Sequence, residues 1–267
     1  MKIAVYQGEG VSGDRAKALD LLGAKAAEAA HAGAGLVVFP EMFLTGYNVG
    51  DAMFKLAEPV AGPSSQKAAA IARKAGVAFL YGYPERDGDT VYNSALLIDR
   101  NGRPRANYRK AHLYGGGEKK LFAAGDRLVT AELDDLKIGI LICYDVEFPE
   151  AVQALALAGA HLIVVPTALM EPFGLVARTV VPARAYESQV YVACANRCGK
   201  EGNLTYCGLS CIVGPDGLEL ARAGKNEELL VADIDPATVA AVRENNPILA
   251  ERRPELYTRP INPQLPA

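Results

Sequence analysis

Short apolar strands alternate with helices along most of the chain, without a long linker between them. Residues 3–7 and 36–39 have the length and apolar character of strands, and residues 14–32 and 64–75 have the composition of helices. Strands separated by helices are typical of layered α/β folds, because each helix covers an apolar face of a sheet. The sequence therefore predicts a single α/β domain over residues 1–246.

Two turn motifs indicate that the sheets are not purely parallel. Asn101-Gly102 and the segment 214–217, GPDG, each separate two extended stretches, and Asn-Gly in such a position is a strong hairpin signal. Hairpins require antiparallel strand pairs, so we expect mixed sheets rather than a parallel Rossmann sheet. No G-x-G-x-x-G follows the first strand and no G-x4-G-K-[ST] occurs, which argues against nucleotide binding.

Charge and hydropathy argue against two classes of partner. The net charge is −3 and both signs are mixed along the chain, so no basic face is available for a nucleic acid. No apolar run approaches the ~20 residues needed to span a membrane. The first residues, MKIAVYQGEG, lack the apolar core and cleavage site of a signal peptide. We therefore expect a cytoplasmic protein without a membrane or nucleic-acid partner.

The cysteines have two interpretations. Cys194, Cys198, Cys207 and Cys211 form a C-x3-C-x8-C-x3-C pattern, which a zinc site could use. Structural zinc sites more often contain C-x2-C pairs, and the surrounding sequences YVACA and GLSCIVG have the character of buried strands. Free cysteine is among the most buried residue types, so packing in the core is the favoured interpretation and no metal is expected.

The last residues differ in composition from the rest. Five prolines occur within residues 247–267. Proline removes a backbone donor and restricts the chain, so we expect this tail to be neither a helix nor a central strand. We predict that it is extended and packs on its own domain or, more specifically, at a dimer interface.

Three apolar strands end in an ionisable residue, and together these residues make a coherent catalytic set. LVVFP leads to Glu41, ANYR to Lys110, and GILI to Cys143. Active sites of α/β folds lie at such strand ends. A carboxylate can take the thiol proton, a lysine can stabilise the oxyanion, and the backbone N–H of Tyr144 could be a second donor. A helix entered at Pro149 makes this strand, nucleophile and turn resemble a nucleophile elbow.

Each of these residues also has a less specific interpretation. A cysteine at a strand end is usually a core residue, Glu41 could cap a turn, and Lys110 could be a solvated charge. His112 offers a rival base for Cys143, because Cys–His pairs are common nucleophile and base combinations. Only the joint occurrence of the glutamate, lysine and cysteine within specific flanking residues favours catalysis.

Those flanking residues resemble a known family. FPEMFLTGY, NYRKAHLY and GILICYDVEFPE are similar, in order and spacing, to the three signature segments of the nitrilase (carbon–nitrogen hydrolase) superfamily. The similarity continues through YGYPER, VYNSALLID, PARAYESQVYVACAN and GLSCIVGPDG, and so covers most of the chain. The resemblance implies that Glu41, Lys110 and Cys143 are a catalytic triad. It also implies that Glu118, in EKKLF, is the second glutamate that positions the substrate.

The resemblance carries further expectations for the whole molecule. It implies a four-layer α-β-β-α sandwich with mixed sheets and a homodimer, or a higher homo-oligomer, formed through the helices that follow the nucleophile. It implies no metal or organic cofactor. The reaction would be acylation of Cys143 by a small-molecule amide, release of ammonia, and attack of water on the thioester. A non-catalytic binding module of this fold is the alternative, and it is disfavoured because every position of the triad is filled.

The substrate is predicted from one substitution and from the pocket segments. Glu147 stands where several relatives that act on acids carry arginine, so a substrate with a positive amine is expected; alternatively, Glu147 pairs with Arg178 or Arg184. PEMFLTGYN, YGYPER, ICYDVEFPE and YCGLS resemble bacterial 5-aminopentanamidases, whereas the loop GGGEKKLF differs. Broad or stereoselective aliphatic amidases, nitrilases and N-carbamoyl hydrolases remain alternatives. The residues expected to line the substrate pocket besides Glu147 are Tyr47, Thr167, Ala168 and Met170.

Overall fold

The computed structural model describes residues 1–257, and within them the chain forms two six-stranded mixed sheets and a two-stranded ribbon. The strands, in chain order, are β1 (Lys2–Gln7), β2 (Leu36–Val38), β3 (Ala78–Asp87), β4 (Thr90–Ile98), β5 (Pro104–Arg109), β6 (Val129–Leu133), β7 (Leu136–Ile140), β8 (Leu162–Pro166), β9 (Tyr191–Ala195), β10 (Lys200–Glu201), β11 (Leu204–Thr205), β12 (Cys211–Val213), β13 (Glu219–Arg222) and β14 (Glu228–Asp233).

Helices of very different length connect these strands. In chain order they are α1 (Arg15–His31), α2 (Ala52–Leu56), α3 (Pro63–Ala75), α4 (Gly115–Leu121), α5 (Pro149–Leu157), α6 (Val181–Ser188), α7 (Pro236–Asn245) and α8 (Pro254–Tyr257). A 3-10 turn spans Cys143–Glu147, and a π-helical turn, Val176–Val180, leads directly into α6.

The strand order explains how the two sheets divide the chain. The first sheet has the order β14-β1-β2-β3-β4-β5, and the second has the order β13-β12-β9-β8-β7-β6. In each sheet three central strands are parallel, β1–β2–β3 and β7–β8–β9, and the outer strands pair antiparallel. The hairpins predicted at Asn101-Gly102 and at residues 214–217 are the β4–β5 and β12–β13 pairs, and both are confirmed.

Side-chain alternation along the strands creates the layers. In β1, Ile3 and Val5 belong to the core between the sheets, whereas Ala4 and Tyr6 pack with the residues of α1 and α3. Successive side chains of a strand point to opposite faces, so each sheet covers one core and is covered by helices on the other side. The second sheet is covered by α5 and α6. The predicted four-layer α-β-β-α arrangement is confirmed.

The helix ends follow the local sequence. Asp14 caps α1 by accepting a hydrogen bond from the backbone N–H of Lys17 at 3.1 Å, which satisfies one of the free donors of the first turn. Gly76 ends α3 in the left-handed conformation, with φ of 68°, a conformation that costs glycine nothing. Both helices agree within one residue with the segments, 14–32 and 64–75, whose composition predicted them.

The tail departs from its prediction in part. We predicted no helix after residue 246, yet α8 spans Pro254–Tyr257. That prediction is wrong there, because Pro254 occupies the first helical position, where its missing N–H has no partner to lose. Residues 258–267 lie outside the described part of the chain. The domain boundary at residue 246 and the contact of the tail with a partner stay predictions.

The four clustered cysteines are buried. Cys194 and Cys211 are direct neighbours on β9 and β12, and Cys198 and Cys207 are also buried. This location agrees with the packing interpretation. Within residues 1–257 no group of three or more histidine, cysteine, aspartate or glutamate side chains is placed to hold a metal ion. In the same part of the chain no helix has the length and apolar character needed to cross a membrane.

Candidate active site

Glu41 is delivered by the segment that follows β2. This segment runs along β3, where the N–H of Phe39 donates to the carbonyl of Leu80 at 2.8 Å. A Cβ at Gly82 would lie 2.5 Å from the backbone N of Met42 and 2.8 Å from the Cα of Glu41. Only glycine leaves enough room for the segment at this point of β3, and the Glu41 side chain is thereby brought to the edge of the sandwich.

The carboxylate of Glu41 is completely buried and is held on one side only. Oε1 accepts hydrogen bonds from Nζ of Lys110 at 2.8 Å and from Nδ2 of Asn93 at 2.6 Å. Oε2 is buried too, and it has no hydrogen-bond partner among the residues that the structure describes. The two donors fix the orientation of the carboxylate and leave Oε2 free to accept a proton. Asn93, on β4, was not identified from the sequence.

Lys110 lies immediately after β5 and bridges two carboxylates. Its Nζ donates to Oε1 of Glu41 and, at 2.7 Å, to Oε1 of Glu118 on α4. Glu118 is held in turn by the hydroxyl of Tyr47 at 2.8 Å and by the backbone N–H of Tyr114 at 2.7 Å. The structure thus brings together Glu41, Lys110, Glu118 and Tyr47, all of which the sequence predicted for the site.

Cys143 belongs to the second sheet and follows β7 in a strained conformation. Its φ of 47° is unusual for a residue with a side chain, and the 3-10 turn begins at this residue. Thr167 and the backbone of Ala168 lie near its sulfur, as do the charged groups of Glu41 and Lys110. The strand β7 ends at Ile140, and the turn that follows presents the thiol toward Glu41 and Lys110.

Asp145 ties the segment that carries Lys110 to the segment that carries Cys143. Its Oδ2 accepts from the hydroxyl of Tyr108 at 2.8 Å and from the N–H of Ile142 at 3.0 Å. Its Oδ1 is 2.8 Å from both the backbone N and Nδ1 of His112. This role was not identified from the sequence, although Asp145 stands within the signature segment. The three contacts with Tyr108 and His112 join the two sheets at the site.

His112 is engaged away from the thiol. Its ring is hydrogen-bonded to Asp145 and stacks on Phe148, with ring centroids 3.8 Å apart and planes inclined by 13°. These contacts give His112 a part in holding the turn after Cys143. The rival assignment of His112 as the base of Cys143 finds no support in this geometry.

The charges of the site set its protonation states. Burial alone would lower the pKa of Lys110, but Glu41, Cys143 and Glu118 outweigh burial and raise it above its usual value. Burial raises the pKa of Glu41, and the charge of Lys110 opposes this only in part. Burial and the charge of Glu41 raise the pKa of the Cys143 thiol. The resting site therefore contains a protonated lysine and a thiol rather than a preformed thiolate.

These pKa directions predict the pH dependence of catalysis. Glu41 must be ionised to accept a proton, so kcat/KM should rise with pH along a limb centred above the ~4.3 of an ordinary glutamic acid. The raised pKa of Lys110 keeps its ammonium charged, so the plateau should persist to about pH 9. The measurement is kcat/KM against pH with propionamide, which does not titrate. A rise centred near pH 8.5, the pKa of a free thiol, would show instead that thiol ionisation controls the rate.

A cleft of about 510 Å³ opens beside Glu118. Tyr47 and Met170, both predicted for the pocket, line it together with the glycine segment 115–117 and Phe122. Thr167 and Ala168 lie at the sulfur of Cys143 instead of in this cleft. The sequence GGGEKKLF, which was singled out as unusual, forms one wall, and its glycines leave that wall open.

Glu147 lies at the end of the 3-10 turn and is half-buried. Arg184, one of its expected partners, donates to the backbone carbonyl of Glu147 at 2.8 Å and forms its ion pair with Glu187. Among residues 1–257 the carboxylate of Glu147 has no ion-pair partner within 4.0 Å. Burial raises its pKa, which Arg184 and Lys110 oppose by their charges. The carboxylate of Glu147 therefore does not form the direct ion pair with an arginine that was the alternative to substrate binding.

The fold and the site agree with what comparison with known proteins finds. The model of the carbon–nitrogen hydrolase family matches residues 2–244. A protein of Pseudomonas protegens described as a hydrolase in the pqqF 5′ region is 50% identical over 96% of this chain and 90% of its own length. An (R)-stereoselective amidase of a Pseudomonas species is 36% identical over 95% of this chain and 92% of its own length.

A solved structure extends the comparison to three dimensions. The amidase from Nesterenkonia sp. superposes with a TM-score of 0.88 at 35% identity, covering 96% of this chain and 95% of the amidase. The chain therefore belongs to the carbon–nitrogen hydrolase family, within the nitrilase superfamily. It is an enzyme of the amidase type in that family, and the resemblance drawn from the three signature segments is confirmed.

Proposed function

We propose that the protein hydrolyses a small aliphatic amide to a carboxylate and ammonia, with Cys143 as nucleophile, Glu41 as general base and Lys110 as oxyanion stabiliser. The observation that carries the proposal is the buried Glu41 carboxylate. Its Oε1 is held by Lys110 and Asn93, and its Oε2 has no hydrogen-bond partner within residues 1–257. Such a group can move a proton between sulfur and nitrogen without leaving its place.

The reaction follows from this arrangement in two halves. The sulfur of Cys143 bonds to the amide carbon while its proton passes to Glu41, and the developing oxyanion is stabilised by the ammonium of Lys110 and the N–H of Tyr144. Glu41 then gives the proton to the leaving nitrogen, the C–N bond breaks and ammonia departs. Water attacks the thioester, Glu41 takes a proton from it, and the thiolate leaves and is reprotonated.

Glu118 and Lys110 complete the machinery. Glu118 accepts from Lys110 and thereby orients the ammonium, and its position beside the cleft lets it contact the amide of a bound substrate. No metal or organic cofactor enters the proposed reaction. Tyr47, Met170, Thr167 and Ala168 would shape the pocket around the scissile bond.

The substrate we propose is an amino-amide such as 5-aminopentanamide. Support comes from Glu147, a half-buried carboxylate without an ion pair among the described residues and within electrostatic reach of Lys110. Buried charges are usually paired, so an unpaired carboxylate near the reacting groups favours a ligand that brings a cation. A stereoselective aliphatic amidase is the second candidate, favoured by the 36% identity to the (R)-stereoselective amidase.

A substrate panel tests the proposal. Ammonia release is measured from 5-aminopentanamide, propionamide, a glutaramate-type acid amide and an N-carbamoyl amine, with an aliphatic nitrile as a further arm and Cys143→Ala as blank. We expect the amino-amide to be the best substrate. Preference for propionamide would support amide hydrolysis but favour the stereoselective aliphatic amidase over the amino-amide hydrolase. Chiral amides would then be tested next. Ammonia from the nitrile alone would replace the amidase by a nitrilase, and silence throughout would contradict the proposal.

Glu147→Gln predicts a selective loss. A hydrogen-bonded charge is worth about 1.5–3 kcal/mol, so kcat/KM for 5-aminopentanamide should fall about 10–100-fold, while that for propionamide should change little. Steady-state kinetics on both substrates measure the effect. Glu150→Gln, an exposed glutamate on the next helix, is the matched control. An equal loss on both substrates would contradict recognition of the amine by Glu147.

We also propose that the chain forms a homodimer through the helices after the nucleophile and is cytoplasmic. Leu157 on α5 and Tyr186 on α6 are about half exposed, and Leu218 in the β12–β13 turn is 66% exposed, which leaves apolar surface on that layer. All five cysteines are free thiols, as in a reducing compartment. Light scattering would contradict the dimer if it gave the mass of one chain, and cell fractionation tests the location.

A further inference from the structure

Glu201 is a buried carboxylate outside the set of groups assigned to the reaction. It lies on β10, in the ribbon formed with β11, and is only 7% exposed. Removing a carboxylate from water costs free energy unless hydrogen bonds or opposite charges replace its hydration. A buried carboxylate with many such partners is therefore a candidate for a functional role.

The backbone N–H groups that donate to Glu201 belong to one short segment of the loop between β2 and α2. Oε1 and Oε2 each accept from the backbone N–H of Tyr47 at 3.1 Å, and Oε2 accepts from that of Asn48 at 3.0 Å. Its backbone carbonyl also accepts from Nδ2 of Asn48 at 3.0 Å. The carboxylate therefore fixes the backbone of residues 47 and 48.

The remaining contacts hold the carboxylate itself. The hydroxyls of Ser12 and Tyr206 donate to it, the latter at 2.6 Å, and Nη2 of Arg197 lies 3.7 Å from Oε1. Burial raises the pKa of Glu201, but the charge of Arg197 and the hydrogen bonds outweigh burial and keep the pKa below its usual value. The group stays ionised and accepts hydrogen bonds throughout the neutral range.

Gly46 allows the carboxylate of Glu201 to lie close to the backbone of the loop. Its φ of 84° lies in the left-handed region, and a Cβ built there would overlap Oε1 of Glu201. A side chain at residue 46 would therefore push the carboxylate away from the backbone of Tyr47 and Asn48.

Tyr47 connects this anchor to the reacting groups. Its hydroxyl donates to Oε1 of Glu118, the oxygen that also accepts from Nζ of Lys110. Burial and the charges of Glu41 and Glu118 raise the pKa of Tyr47, so its hydroxyl remains a donor. An unbroken chain of contacts thus leads from Glu201 through Tyr47 and Glu118 to Lys110.

We propose that Glu201 is a positioning residue, which anchors the backbone of Tyr47 so that the Tyr47 hydroxyl holds Glu118 and, through it, the ammonium of Lys110. The proposal rests on the proposed function, because it assigns Glu201 to the placement of the same oxyanion group. A small displacement of a group at the active site can lower the rate by up to ~10²-fold. The residues that hold such a group in place must therefore be positioned with similar precision.

The test is a double-mutant cycle of Glu201→Gln and Tyr47→Phe. Glu201→Gln replaces one acceptor oxygen by an amide nitrogen, so kcat should fall about 10–100-fold with KM changed by less than about threefold. In the Tyr47→Phe background, which already has a lowered kcat, Glu201→Gln should cause little further loss. Glu244→Gln, which changes an exposed glutamate on α7 in the same way, is the matched control and should stay within about twofold of wild type.

Several outcomes would overturn the proposal. These are an unchanged kcat in Glu201→Gln, an additive loss in the double variant, an unchanged kcat in Tyr47→Phe, or an equal loss with Glu244→Gln. If Glu201→Gln does not fold, Gly46→Ala displaces the same carboxylate and should give the same coupling with Tyr47→Phe.

The experiment separates this proposal from the proposed function. Wild-type enzyme that hydrolyses amides, together with an inert Glu201→Gln change, would contradict only the positioning role. Wild-type enzyme that hydrolyses no amide would contradict the proposed function. In that case the rate of Cys143 alkylation by iodoacetamide becomes the readout: a severalfold slower rate in Glu201→Gln supports the positioning role, and an equal rate overturns it.

Discussion

Glu41→Gln is expected to lower kcat/KM for the best amide by about 10⁴-fold, the upper range for loss of a general base. The oxygen of the new amide should face Lys110 and Asn93, because both are donors to Oε1 of Glu41. Its NH2 group then takes the place of Oε2 and cannot accept the thiol proton. Since the thiol has a raised pKa, no appreciable thiolate forms without the base.

The measurement is steady-state kinetics combined with substrate binding and thermal unfolding. Substrate affinity and melting temperature should stay close to those of wild type, because glutamine has the shape of glutamate and its oxygen keeps the hydrogen bonds from Lys110 and Asn93. Glu132→Gln, an exposed glutamate on β6, is the control for loss of one carboxylate and should be fully active. Activity of Glu41→Gln within tenfold of wild type would exclude Glu41 as the base.

Lys110→Met is expected to damage both activity and stability. The ammonium is the shared partner of Glu41 and Glu118, with contacts of 2.8 and 2.7 Å, and its removal leaves two buried carboxylates without that charge. Breaking a buried ion pair from one side costs about 3–5 kcal/mol of unfolding free energy. Loss of an oxyanion donor should lower kcat by about 10²–10³-fold.

Chemical denaturation of Lys110→Met gives the stability, and ammonia release gives the rate. Lys119→Met, an exposed lysine on α4, is the matched control and should change neither. The sign of a pH effect adds a second check. Burial already raises the pKa of Glu41, and without the ammonium this carboxylate takes up a proton still more readily in the folded state. The stability deficit should therefore shrink as the pH falls toward the raised pKa of Glu41. A deficit that is no larger than that of the control would contradict the buried-bridge role.

Local sequence was sufficient for the strands, the hairpins and the placement of three ionisable residues at strand ends. Glu41, Lys110 and Cys143 each follow an apolar run, and a strand end fixes where such a residue lies in the sandwich. The α1 cap at Asp14 and the α3 end at Gly76 also have local causes. In each of these cases the residues that cause the strand end or helix end lie next to it in the sequence, so the feature can be predicted without the rest of the chain.

The supporting residues could not be predicted in the same way. Asn93 and Glu41 are 52 positions apart, and Glu201 and Tyr47 are 154 positions apart. No periodicity or turn signal encodes such pairings, because they arise only when two sheets and their loops are packed. Asp145 stood within a recognised segment, yet three of its contacts, those to Tyr108 on β5 and to the backbone and ring of His112, reach the other sheet and became visible only in three dimensions.

The division of the site between the sheets has a consequence for biosynthesis. Glu41, Lys110 and Glu118 are translated first, yet the sheet that carries the first two is completed only by β14, after the strands around Cys143 have been made. Base and thiol therefore stand on different sheets of the sandwich. We expect the reactive centre to exist only once the two sheets have packed together, which ties the reactivity of Cys143 to completion of the fold.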